Sequence, residues 1–243
     1  MSQTPPTARL SPPPAWVAAP PWMPNATYLR ENKTMKRHLL PLAALLTACT
    51  TTDDQVAHAT FLFNAGREAE AAEIYHQAAQ EGNPEAQLLL AKCYDFGKGV
   101  PQNLTEAVRW YTMAAEAGNT NAQDNLGTCY VSGSGVEKDL DKAFHWYSRA
   151  AEAGSPSAMN NVGLCYRNGE GVEKDDTKAA ICFQRSALLG NADAQYNLGR
   201  CFYHGLGVPR DTEQARTWVS KAASRGHKNA QLFMADNQWT MPQ

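Results

Sequence analysis

The residues of this 243-residue sequence with most scope for chemistry are six cysteines and four pairs of closely spaced glycines. Cys93, Cys129, Cys165 and Cys201 stand 36 residues apart, Cys182 lies between the last two, and Cys49 sits well upstream. Such thiols can bind metal, pair as disulfides, carry a lipid or pack as small apolar groups. Thiolate zinc sites draw on closely spaced pairs, and the sequence has no Cys-x-x-Cys. His38, His58, His76, His145, His204 and His227 are scattered, with no His-Glu-x-x-His, so no metal site is expected. Gly-x-Ser-x-Gly and Ser-x-x-Lys are also missing, so no nucleophile stands beside a base and no catalytic residue is expected.

The glycine pairs Gly97-Lys98-Gly99, Gly133-Ser134-Gly135, Gly169-Glu170-Gly171 and Gly205-Leu206-Gly207 invite comparison with phosphate-cradling loops. A dinucleotide loop needs a third glycine and a preceding strand; here the third glycine is missing and the preceding segment reads as a helix. Turn chemistry is the better reading, and no cofactor is expected. For the cysteines, equivalent residues on stacked helices should lie about 8–10 Å apart. A disulfide needs Cα atoms within about 7 Å, so the 36-spaced set is expected to be buried free thiols. Cys165 with Cys182 remains the one pairing that distance would allow.

Cys49 has different surroundings. Met35-Lys36-Arg37-His38 is cationic, Leu39 to Ala48 is a ten-residue apolar run, and small residues precede the cysteine. That order is a secretory signal, and Leu46-Thr47-Ala48-Cys49 resembles the bacterial lipobox. The resemblance implies cleavage before Cys49, a diacylglycerol on its thiol, and a protein exported and anchored in the bacterial cell envelope, at the periplasmic face of the outer membrane. Residues 35–48 are then the signal and 49–56 a polar tether. Residues 1–34 hold eight of the fourteen prolines and cannot form a helix or a central strand. They are expected to be disordered, and Met35 is read as the initiator, with a genuine Pro-rich extension as the alternative.

Ten apolar residues are about half of what a spanning helix needs, so a multi-pass membrane protein is excluded and only the lipid would touch the membrane. The full chain carries net charge −2, and a chain beginning at Cys49 has 17 basic and 23 acidic residues, net −6. Nucleic acid is therefore not an expected partner.

The elements that must hold these residues follow from a gapless 36-residue period. Ala78 to Met113, Ala114 to Arg149, Ala150 to Arg185 and Ser186 to Lys221 align, with partial copies at both ends. Each copy reads as two helices. Asn83, Asn119, Ser155 and Asn191 stand at N-cap positions of the first helix, and Asn103, Asp139, Asp175 and Asp211 at those of the second. Glu106 and Gln214 have capping-box spacing. Ala86, Leu90, Cys93 and Tyr94 form one apolar face, and Ala107, Trp110, Tyr111, Ala114 and Ala115 another. The fold class is all-α: a helical-hairpin solenoid of about four full repeats over residues 57–239.

These residues also carry a family resemblance. Ala114-Ala115, Gly118, Ala122, Leu126-Gly127, Tyr130, Gly133-Ser134-Gly135-Val136, Asp139, Ala143 and Trp146-Tyr147 resemble the Sel-1-like repeat, a relative of the tetratricopeptide repeat. The structural glycines implied are Gly127, Gly133, Gly135, Gly163, Gly169, Gly171, Gly199, Gly205 and Gly207. Two departures stand out: Ala91 replaces the helix glycine, and Cys182 replaces the tryptophan found at 110, 146 and 218. The resemblance implies a non-enzymatic scaffold that binds a protein or peptide, and a monomer. A few cysteine-rich relatives carry a β-lactamase assignment, which makes a hydrolase the alternative. By analogy with tetratricopeptide arrays the first helices line a concave face. The side chains between the core positions would meet the partner there: Asn160 and Arg167 in one copy, Asp193, Tyr196, Arg200 and Tyr203 in the next.

Overall fold

The computed structural model describes residues 51–240, so the expectations for 1–34, 35–48 and Cys49 fall outside the described residues. Within them are eleven α-helices and no strand. The chain runs α1 (Thr52–Asn64), α2 (Glu68–Gln80), α3 (Pro84–Phe96), α4 (Leu104–Glu116), α5 (Thr120–Ser132) and α6 (Leu140–Glu152). It continues with α7 (Pro156–Asn168), α8 (Asp176–Leu188), α9 (Ala192–His204), α10 (Thr212–Ser224) and α11 (Lys228–Asp236). Odd-numbered helices are the first of each hairpin and even-numbered helices the second; each packs mainly on its neighbours in the chain, as in a solenoid.

The helix boundaries are set by side chains that satisfy orphan N–H groups. Asn83, Asn119, Ser155 and Asn191 each accept a hydrogen bond from the N–H three residues on, and so do Asn103, Asp139, Asp175 and Asp211. The expected capping boxes at Glu106 and Gln214 do not close. Glu106 instead accepts from Arg109 Nε at 3.1 Å, one turn along its own helix. A reciprocal box does form at Thr51 and Asp54. It starts α1 at Thr52, which corrects the tether read over 49–56. Val56, Ala59 and Leu62 of α1 are buried, so the chain is already folding into the array where a polar tether was expected.

The loop glycines bear more than turn chemistry. Gly97, Gly133, Gly169 and Gly205 end the first helices in the left-handed conformation, each N–H bonding to a cysteine carbonyl four residues back. Gly135 is held at φ +72°, and a Cβ there would overlap the Leu104 carbonyl at the start of the preceding second helix. Gly99, Gly171 and Gly207 repeat that approach against Glu68, Leu140 and Asp176. The glycine inside the first helix serves close packing: a Cβ on Gly163 would lie 2.6 Å from the Phe183 ring, and Gly127 and Gly199 face Tyr147 and Val219 in the same way.

The core is a chain of small clusters along the stack. Leu90, Leu126 and Leu198 from the first helices meet Tyr75, Tyr111 and Phe183 from the second. Cys93, Cys129, Cys165 and Cys201 are buried and Cys182 half-buried; all five are free thiols. Cys182 packs beside Cys165, Val162 and Tyr147 without bonding to Cys165. Burial pushes Cys93, Cys129, Cys165 and Cys201 each up to about 11. In an unfolded chain a thiol ionises near 8.5, so the folded-state values are raised. The stability this confers is present below the unfolded value and is lost as pH climbs towards 11. The four buried thiols of the native chain should therefore resist a thiol reagent at neutral pH; the chain should give all five repeat thiols after denaturation without reductant, and melt progressively earlier above pH 9. Two or more thiols missing from the denatured titration would contradict the packing.

Candidate functional site

The first helices α3, α5, α7 and α9 present a row of polar side chains joined from copy to copy. Along the cap edge, Asn83 Nδ2 donates to Asp53 Oδ1 at 2.8 Å and Asn119 Nδ2 to Glu85 Oε2 at 3.1 Å. At the far end His227 Nδ1 accepts from the Ala230 N–H and so caps α11, while Nε2 lies 3.1 Å from Asp193 Oδ1. Asn83, Asn119 and His227 thus also tie their helices to the preceding first helix, a use of the capping residue that helix-end logic alone does not reveal.

Along the middle of the row, Asn161 Nδ2 donates to Asp124 Oδ1 at 2.9 Å, and Asn197 Nδ2 donates to Asn160 Oδ1 at 2.9 Å. Arg167 Nη1 donates to Asn197 Oδ1 at 3.2 Å, and its guanidinium lies over the Phe183 ring at 5.8 Å. That placement answers a change in the second helix. Tyr111 donates from its hydroxyl to Asp95, and the Tyr147 hydroxyl pairs with Thr128, whereas Phe183 has no hydroxyl and meets Leu164 and Arg167 instead. Burial, with Arg200 nearby, lowers the Arg167 pKa. Burial also raises Asp124, opposed by its hydrogen bonds.

The six residues read as partner-binding therefore divide. Asn160 is only 6% exposed and its oxygen is taken by Asn197, so it cannot meet a partner; it is a stacking residue. Tyr203 donates to Asn237 Oδ1 at 2.7 Å and stands edge-on to Phe233 and Trp239. Tyr196 lies 4.7 Å from the His227 ring and 6.1 Å from Phe233. Both tyrosines are half-buried by the last helix and anchor it. Asp193 is exposed beside His227, Arg167 is half-buried, and Arg200 is half-exposed with its guanidinium 5.8 Å from the Tyr196 ring. Arg167 and Arg200 make the later part of the row cationic, while Glu85, Asp95 and Asp124 make the earlier part acidic.

Among the described residues no cluster of His, Cys, Asp and Glu is placed to hold a metal ion, and no helix is long and apolar enough to cross a membrane.

Comparison with known proteins bears on this geometry. A crystal structure of a Sel1 repeat protein from Oxalobacter formigenes is 33% identical with TM-score 0.71, over 74% of this chain and 73% of that one. A protective antigen of uropathogenic Escherichia coli displaying an SLR fold is 32% identical with TM-score 0.69, over 79% of this chain. This chain spans only 43% of that antigen's length. An immunity protein from Pseudomonas aeruginosa, 21% identical with TM-score 0.51 over 74% of this chain and 67% of that one, shares the fold. Among curated proteins none matches the chain. The family model described as Sel1 repeat matches residues 68–83, 84–119, 120–155, 156–191 and 192–227, so every hairpin from α3 to α10 is one of its copies. The chain belongs to the Sel1 repeat family.

Proposed function

We propose that the chain is a non-enzymatic scaffold of the bacterial envelope, tethered by a lipid on Cys49, that holds a partner protein on its row of first helices. One observation carries this reading: core positions repeat from copy to copy, whereas the incompletely buried positions along the row do not, as in the set Lys92, Thr128, Leu164 and Arg200. Sel1 repeat folds commonly serve as protein-interaction scaffolds. The guanidinium of Arg200, with Arg167 close by, suits a carboxylate or an acidic segment of the partner.

Arg200→Glu is the discriminating variant, because Arg200 has no hydrogen bond holding another helix, unlike Tyr203. Truncating or reversing an interface anchor costs about 2 kcal/mol or more, roughly thirtyfold in affinity. Cross-linking in envelope extract followed by affinity measurement on the captured protein should show that loss with the melting transition unchanged. Unaltered affinity would remove the row as the binding face. For the anchor, mass spectrometry of the membrane fraction should find a mature N-terminus at acylated Cys49, and Cys49→Ala should release the protein. A mature peptide beginning before Met35 would refute that half of the proposal.

A further inference from the structure

The third full copy, Ala150 to Arg185, departs from its siblings at two positions that meet in space. Where Trp110, Trp146 and Trp218 stand on the second helix, this copy has Cys182. Where Gln87, Gln123, Gln195 and Gln231 stand on the first helix, it has Met159. Each of those glutamines donates from Nε2 to an alanine carbonyl on the preceding second helix: Ala79, Ala115, Ala187 and Ala223, at 3.2, 3.0, 3.2 and 3.1 Å. The equivalent carbonyl here belongs to Ala151, and a thioether cannot donate to it.

Together the two changes leave a half-open cavity of about 230 Å³ between α6, α7 and α8, lined by Ala151, Met159, Val162, Tyr166, Cys182 and Arg185 together with the polar Ser148 and Glu152. Ala79, Ala115, Ala187 and Ala223 are all buried, and Ala151 alone of this set is partly open to solvent. The cation that accompanies the missing ring is nevertheless retained. Arg149 and Lys221, three residues after Trp146 and Trp218, lie over those rings at 5.3 and 4.2 Å. Arg185 stands in the same register after Cys182, at the edge of the cavity with no ring beneath it.

We infer that this cavity is a receptor site for a tryptophan side chain presented by a partner polypeptide, which takes the place of the indole the third copy lacks. The protein's own copies supply the template: an indole carried on a polypeptide, packed between two second helices and a first helix, beneath a cation. The volume suffices, since an apolar cavity of about 150 Å³ already accepts benzene. Beyond that template, Met159 leaves the Ala151 carbonyl open to the ring N–H, a bond Trp110 does not make because Gln87 holds the corresponding carbonyl of Ala79, and Arg185 supplies a cation–π contact on the open side. Met159 adds a polarizable, adaptable wall. The site shares no residue with the row of first helices. It rests on the scaffold reading only for the source of the ring, and its test does not use that row.

The test titrates the purified full chain, with labelled Met and Val methyl groups, with N-acetyl-tryptophanamide. The expected result is a saturable shift of the Met159 and Val162 methyl resonances, with none from N-acetyl-alaninamide. Cys182→Trp, which fills the cavity from within, should abolish the shift and raise the melting temperature. Met159→Gln, which returns an amide donor to Ala151, should weaken the probe about fivefold or more, in keeping with one displaced hydrogen bond. Absence of a saturable shift in the parent chain overturns the inference, as does a shift that persists in folded Cys182→Trp. If that variant does not fold, unchanged affinity in Met159→Gln overturns it. Binding of free indole without binding of N-acetyl-tryptophanamide would refute the polypeptide source. Arg200→Glu should leave the titration unaltered, which keeps failure here separate from failure of the binding row.

Discussion

Gly135→Ala should cost the array about 3 kcal/mol or more, although it adds a single methyl group. Two penalties combine. A left-handed conformation costs a non-glycine residue about 1–2 kcal/mol, and Gly135 is held at φ +72°. The new Cβ would also overlap the Leu104 carbonyl, and backbone in the first turn of α4 cannot yield as a side-chain end can. Overpacking in tight sites typically adds about 1–3 kcal/mol. Gly133→Ala separates the two effects. Its φ is +71° but its Cβ would meet Lys138 at an ordinary 3.5 Å, so only the conformational penalty of about 1–2 kcal/mol should appear. Urea denaturation of the two variants should therefore differ by more than 1 kcal/mol, with protection from hydrogen exchange lost first around α4 and α5 in Gly135→Ala. Equal losses would mean that the loop does not hold one hairpin against the next.

The helix glycine makes the contrast useful. Gly163 also lacks room for a Cβ, yet what it faces is the Phe183 ring, a side chain. The first copy carries Ala91 at the equivalent position, fully buried against its second helix. The fold therefore already tolerates a methyl group there, and the distinction between backbone and side-chain neighbours decides which glycine is indispensable.

Those features explain what could be read in advance. A 36-residue period fixes two thirteen-residue helices, because caps, loop glycines and apolar spacing all recur in register. The start of α1 was also written in the chain, as Thr51 and Asp54 followed by Val56, Ala59 and Leu62. It escaped the repeat comparison because its link to α2 is a short turn, Ala65 to Arg67, without the Gly-x-Gly loop. The binding row was less legible for a physical reason. Helical periodicity tells which face of α7 meets α8, but a first helix in a stack has a further neighbour, the first helix of the next copy. Asn160 and Tyr203 sit on that flank, and helix periodicity marks it as solvent. The legible signal lies between copies: Asp124 with Asn161 and Asn160 with Asn197 are complementary polar pairs, each 37 residues apart. Trp239 and Phe233 likewise cover Tyr203 from the terminal segment, where the repeat no longer guides the reading.

Asn197→Leu should destabilise the array by about 2–3 kcal/mol, because it leaves two groups unpaired at once. Asn160 Oδ1 loses its donor while 6% exposed, and the half-buried Arg167 guanidinium loses its acceptor. A buried polar group stripped of its partner costs about 1–3 kcal/mol, and more when charged. Asn160→Leu alone should cost less, since it strands only the Asn197 amide, whose oxygen still accepts from Arg167. Changing both to leucine should recover part of the sum, because a pair of apolar side chains can replace a hydrogen-bonded pair at little cost. The first copy accommodates a leucine at one of the two positions, with Leu88 equivalent to Asn160 and only 1% exposed. The four denaturation midpoints, at constant m-value, form a double-mutant cycle, and a coupling of about 1 kcal/mol or more is expected for residues in contact. Partner capture by Asn160→Leu should remain at the parental level wherever the variant is folded. Weakened capture together with unchanged stability would return Asn160 to the binding face, and would mean that the stack opens enough in solution for a partner to reach between α7 and α9.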